Sequence, residues 1–188
     1  EGEKMKYYLK LGGILFAICA IATGVLAYVN SVTEPKIAAL KAEESIESRE
    51  KLIPGCDFEE VVLLDDFSYF IARDKETKEL KGYTFTAQKK GYSSIIKTMA
   101  GLDPEFRVIG IKIIDQGETP GLGANCVTDS FTAQFKGKTP DKLAVKKDGG
   151  DIKSITGATI TSRAIAASLS EEIQAIKADL AKKQEVAE

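Results

Sequence analysis

The chain has 188 residues, a formal net charge of -2 and no histidine, a length that fits one compact domain plus extensions. The near balance of basic and acidic residues argues against a nucleic-acid partner. Without histidine the commonest metal ligand and general base are missing. The three cysteines, Cys19, Cys56 and Cys126, form no C-x-x-C pair for zinc or an iron–sulfur cluster. No metal site and no hydrolytic constellation is expected, and any chemistry falls to a bound cofactor.

Residues 11–33 carry no charge, and Leu11–Val29 reads LGGILFAICAIATGVLAYV. As a helix, about 20 such residues span roughly 30 Å, the thickness of a bilayer's hydrocarbon. Tyr7, Tyr8 and Tyr28 stand near its ends, as an aromatic belt would. The span is longer than the apolar core of a cleavable signal peptide, about 7–15 residues, so a retained anchor in the lipid bilayer is expected. Lys4, Lys6 and Lys10 precede it, which places the N-terminus in the cytoplasm and the rest of the chain outside. The expected divisions are a cytoplasmic tail at 1–10, a transmembrane helix at 11–30, a juxtamembrane stalk helix at 31–54 and an extracytoplasmic domain at 55–188. The stalk is expected to open at Thr33-Glu34-Pro35, with Thr33 as cap, and to end near Pro54-Gly55.

Beyond Phe58 the pattern changes to short β-prone runs at Val61–Leu64, Tyr69–Ala72, Tyr83–Thr86, Ile95–Met99 and Val108–Ile114. The polar stretch Asp74–Leu80 reads as a hairpin connection. The last run is apolar on both faces, which suggests a central strand. Gln116–Ala124 reads as a Gly-rich loop, Ser130–Phe135 as a short helix closed by Gly137, and Asp148-Gly149-Gly150 as a turn. From Thr161 to Lys183, Ile165, Leu169, Ile173, Ile176 and Leu180 form the stripe of a long helix. The fold class is α+β: a mainly antiparallel sheet with packed helices, preceded by one transmembrane helix and a juxtamembrane helix. Cys56 and Cys126 read as buried thiols, with a disulfide between them the alternative for an extracytoplasmic domain.

Ser154–Ser162 reads SITGATITS, with five hydroxyls and one glycine leading into the long helix. Unpaired N–H groups at a helix start favour negative charge, hydroxyls add donors, and Gly157 permits close approach. This is either a phosphate seat or an ordinary hydroxyl-rich cap.

Thr156-Gly157-Ala158-Thr159 resembles the [ST]-G-A-T motif of the FMN-binding domain family. Glu118-Thr119-Pro120-Gly121-Leu122-Gly123 resembles that family's E-T-P-G-L-G loop, with Phe131–Lys138 as the helix that follows. Gly91-Tyr92-Ser93-Ser94 through Gly101-Leu102-Asp103 resembles its G-Y-x-x-x-I…G-x-D strand. Relatives often carry Asp where this chain has Lys153; the nearest acid is Asp151. The closest form is the G subunit of the Rnf complexes, ion-translocating ferredoxin:NAD oxidoreductases, with the C subunit of the sodium-translocating NADH:quinone oxidoreductases similar. The resemblance implies an electron-transfer subunit without substrate chemistry of its own. A flavin transferase would join FMN to Thr159 by a phosphoester, with Thr161 the second choice, and the partners would be the other membrane subunits. Thr156, Gly157, Ala158, Thr161 and Ser162 would seat the phosphate. Glu118, Thr119, Gly121, Leu122, Gly123 and Tyr92 would line the flavin. The rival of another class is a cofactor-free, single-pass extracytoplasmic binding or assembly module.

Overall fold

The computed structural model describes residues 2–63 and 67–187, and it divides into two compact units, Glu1–Glu44 and Ser45–Glu188.

Helix α1 (Gly2–Leu52) contains the apolar span; its most apolar window has a mean hydropathy of 2.2, enough to cross a membrane by length and composition. In the first unit Leu9, Phe16, Ile21 and Leu26 are all exposed, and a helix apolar all round needs a surrounding as apolar as itself. The new helix expected at Thr33 is not present, because α1 runs on through Pro35. The Thr33 hydroxyl donates back to the Val29 carbonyl rather than forward, and that of Ser31 donates to the Tyr28 carbonyl at 2.8 Å. With hydroxyls bonded backwards and only one N–H missing at Pro35, the helix continues.

The second unit holds a five-stranded antiparallel sheet in sequential order: β1 (Cys56–Val62), β2 (Ser68–Asp74), β3 (Leu80–Lys90), β4 (Ile95–Leu102) and β5 (Val108–Asp115). The strand expected at Val61–Leu64 falls at the end of β1, with Leu64 outside the described residues. The hairpin expected at Asp74–Leu80 is closed by the Asp74 carboxylate, which accepts from the Glu76 and Thr77 N–H groups at 2.9 and 3.0 Å. A short helix α2 (Asp129–Thr132) continues as a 3-10 turn to Phe135, and Gly137 follows at φ +73°. Helix α3 (Thr159–Ala187) closes the fold. Ile165, Leu169, Ile173 and Ile176 are buried against Tyr69, Phe85, Ile96 and Leu102, with Leu180 at the margin.

β5 is an edge strand, not the central one its two apolar faces suggested. Both faces are covered by other layers instead. Val108, Ile111 and Ile113 join the α3 cluster, while Ile109 packs on the opposite face with Leu52 and Ile53. A register shift at Gly101/Leu102 marks a bulge at Ile109 in this pairing. The three cysteines are free; Cys56 and Cys126 are buried in the two different clusters, so the alternative disulfide is not formed.

Candidate functional site

The start of α3 is set by a turn. The Ala158 N–H bonds to the Ile155 carbonyl at 3.0 Å, with Gly157 in the turn at φ +77°, a conformation that favours glycine. Ser162 closes the turn from inside: its hydroxyl donates to the Ala158 carbonyl and accepts from the Ile155 N–H, both at 3.0 Å. Between these bonds lie the amides of residues 159–161, which a helix start leaves without intrahelical partners.

Thr161 is fully buried, and its hydroxyl donates to Glu118 Oε2 at 2.6 Å. Glu118 is itself buried. Its carboxylate also accepts from the Tyr92 N–H at 3.2 Å, the Ser93 N–H at 2.9 Å, the Ser94 N–H at 3.0 Å and the Ser94 hydroxyl at 3.4 Å. Burial raises the Glu118 carboxyl, but the Thr161 hydroxyl and the backbone N–H groups of Ser94, Ser93 and Tyr92 outweigh it and hold the group below its ordinary value. Burial, with the Glu118 charge adding to it, pushes the neighbouring Cys126 thiol up to about 11, so Cys126 is an inert core thiol at neutral pH.

Tyr92, Glu118, Thr119, Leu122, Gly123, Gly157, Ala158, Thr159, Ile160 and Thr161 line one cleft of about 420 Å³, a size usual for small-molecule sites. Nine of the twelve expected site residues meet there. Thr156 and Gly121 line a neighbouring trough that shares Leu122 with the cleft, and Ser162 is spent inside the turn. Ile160, half exposed at the cleft, was not expected; its place one residue beyond the motif, on the first turn of α3, was the available signal. Glu118 lines the cleft as expected, with its oxygens bonded to the 92–94 backbone and Thr161.

The cleft suits a phosphorylated, flat, largely apolar group. Amides at a helix start supply donors for a phosphate, while Tyr92, Leu122 and Ile160 supply apolar walls. The backbone at Gly157 comes so near Leu122 that a Cβ there would stand 3.0 Å from Leu122 Cδ2.

The FMN-binding domain family matches residues 91–174, the stretch that holds every cleft residue, and the RnfG N-terminal region family matches residues 5–48. The G subunit of the proton-translocating ferredoxin:NAD(+) oxidoreductase complex of Clostridium ljungdahlii is 35% identical over 84% of this chain and 85% of its own length. The G subunit of the Na(+)-translocating complex of Acetobacterium woodii is 33% identical over 90% of this chain and 91% of its own. The solved structure of the C subunit of Na(+)-translocating NADH-quinone reductase from Parabacteroides distasonis superposes with a TM-score of 0.46 at 26% identity, covering 56% of this chain and 58% of that one. With an N-terminal region and an FMN-binding domain both matched in order, and relatives above 30% identity along most of its length, the chain belongs to the family of G subunits of ion-translocating oxidoreductase complexes.

Proposed function

We propose that the chain is the membrane-anchored electron carrier of an ion-translocating ferredoxin:NAD oxidoreductase complex, and that it holds FMN covalently through Thr159. The observation that carries the attachment is the state of the hydroxyls. Among the described residues the Thr161 hydroxyl is committed to Glu118 and the Ser162 hydroxyl to the Ala158 carbonyl. Thr159 is half-buried at the cleft, and its hydroxyl makes no hydrogen bond among them. A flavin transferase could reach Thr159 without dismantling the turn.

Bound FMN supplies reversible electron transfer. The residues of the chain do the rest: the first turn of α3 orients the phosphate, Leu122 and Ile160 keep water from a flat ring, and Tyr92 stands at the mouth. The tether holds the flavin in either redox state, which suits a carrier outside the cytoplasm. The proposed span is 11–30, with residues 1–10 cytoplasmic and the stalk at 31–54 leading to the domain. The stalk's last residues already belong to the domain's packing, since Leu52 and Ile53 pack on its sheet. The other membrane subunits are the proposed partners.

The attachment is tested by the intact mass and in-gel flavin fluorescence of the denatured chain. Thr159→Ala should lose both signals and Thr161→Ala should keep them; the reverse result moves the attachment to Thr161. A wild-type chain without flavin mass removes the covalent link, and the flavin absorbance of the native chain then separates non-covalent FMN from the cofactor-free module. For orientation, Lys136 is exposed on the domain. Lys136→Cys should react with an impermeant thiol reagent on intact cells, and labelling only after lysis inverts the topology.

A further inference from the structure

Three chain segments meet at the cleft: the β3–β4 turn at 91–94, the loop at 118–123 and the first turn of α3. Among the described residues, one side chain bonds to both of the others from the third. We infer that Glu118 is the positioning residue of the cleft, tying the Tyr92 turn to the start of α3 and so setting where Tyr92 stands against the flavin. The inference rests on the FMN reading above.

The geometry is that of a built clasp. Oε1 takes the Ser93 and Ser94 N–H groups and the Ser94 hydroxyl, while Oε2 takes the Tyr92 N–H and the Thr161 hydroxyl. The Ser94 hydroxyl also accepts from the Gly117 N–H at 2.7 Å, which fastens the loop on the other side of Glu118. Two glycines make room for the carboxylate. A Cβ on Gly91 would stand 2.7 Å from Oε1, and one on Gly123 would stand 2.7 Å from Oε2 and 2.8 Å from Thr161 Oγ1. A buried carboxylate is costly unless its oxygens are satisfied, and here backbone donors from one segment and a hydroxyl from another satisfy them together. The clasp grips the backbone at 92–94 but leaves Tyr92 69% exposed. Glu118 therefore acts through another residue: it fixes the turn, and the turn presents the ring.

The test uses the full chain in detergent. In chain produced without the flavin transferase, Glu118→Gln turns an acceptor into a partial donor facing N–H groups. Exchange of the amides at 92–94 should then quicken about ten- to a hundredfold, the range expected for losing hydrogen bonds to a charged group, while the amides around Leu169 keep their protection. Unchanged exchange at 92–94 overturns the clasp. In flavin-loaded chain, a phenol held against a flavin quenches its fluorescence by donating an electron. Glu118→Gln should raise that fluorescence in wild type and should not raise it on a Tyr92→Phe background. An equal rise on both backgrounds, or none on either, overturns positioning through Tyr92 even if the amides have loosened, because a merely structural clasp would move only the exchange. If Glu118→Gln fails to fold, Thr161→Val removes one donor and should give the same changes in the same direction, smaller. Flavin missing from both the denatured mass and the native absorbance of wild type overturns the FMN reading instead, and the exchange measurement still decides the clasp.

Discussion

On the α3 side of the sheet, Tyr69, Phe85, Ile96 and Leu102 meet Ile165, Leu169, Ile173 and Ile176 in one large cluster. On the opposite side Gly82, Gly101 and Gly110 leave a shallow slot, and Leu52 and Ile53 fill it. A Cβ on Gly101 would lie 3.2 Å from Leu52 Cβ and one on Gly110 3.2 Å from Leu52 Cδ2, while one on Gly82, at φ +153°, would strike the Leu102 carbonyl oxygen at 1.9 Å before meeting Ile53 Cδ1 at 3.2 Å. Beside the slot the Arg49 guanidinium lies 3.4 Å from the centre of the Phe70 ring, and Lys112 Nζ donates to the Ser48 hydroxyl at 2.7 Å. The first face is made by adding side chains and the second by removing them. The large face holds the start of α3, and hence the cleft. The glycine-paved face holds the chain as it enters the domain. The cleft and the segment that enters the domain therefore lie on different faces, with separate residues answering for each.

The largest separation of the two faces should come from Leu169→Ala. Leu169 is fully buried at the centre of the α3 cluster, and truncation there should cost about 2–5 kcal/mol through lost burial and a residual cavity. Denaturant unfolding of the full chain in detergent measures it, and flavin loading should fall with stability because α3 carries Thr159. A cost below about 1 kcal/mol would mean that this face is not the principal core. Gly101→Ala should cost less, about 1–3 kcal/mol, by overpacking rather than by a cavity. The added methyl would press on Leu52 and leave the cleft untouched, so the flavin spectrum and loading should match wild type at temperatures where the domain stays folded. A changed flavin spectrum in Gly101→Ala would show that the two faces are coupled.

The two faces also differ in how plainly the amino-acid sequence announces them. The stripe from Ile165 to Leu180 repeats at helical spacing and is readable from residue types and spacing alone, whereas the hydroxyl-rich approach to α3 reads equally as a phosphate seat or an ordinary cap until the motif resemblance is added. The slot is written in Gly82, Gly101 and Gly110, which in a strand look like weak points rather than a docking surface. For the same reason β5 looked central: sequence shows that both faces of Val108–Ile114 are apolar but not that two different helices cover them. The helix start at Thr33 failed because capping residues also serve as backward donors inside a helix that has reason to continue. Glu118 shows the limit most clearly. Its acidity was visible, but the N–H groups that consume it lie 24–26 residues earlier, and nothing local indicates that a turn after β3 will aim three amides at one carboxylate.

The smallest effect, and the one that most sharpens the comparison, is in acid. The clasp on the cleft side depends on a carboxylate, whereas the slot depends on glycines and apolar contacts. The Glu118 carboxyl is held below its ordinary value in the folded chain, so its charged form stabilises the fold. That contribution is complete above the unfolded value and is lost as pH falls through the lower folded value. Wild type should therefore be more stable than Glu118→Gln at neutral pH, by about 1.5 kcal/mol, the lower end of the range for hydrogen bonds to a charged group because the amide keeps one acceptor. The gap should start to close as pH falls towards the ordinary glutamate value and vanish below the folded one. Many other carboxylates titrate in the same range, but they are common to both chains and cancel in the difference. Unfolding midpoints of the two chains at matched pH give the stability gap. Hydrogen exchange at 92–94 and around Leu52, corrected for the intrinsic rate at each pH, locates it. Protection should fail first at 92–94, with the slot following only on global unfolding. A gap that persists undiminished in acid would mean that Glu118 stabilises the cleft by its shape rather than by its charge.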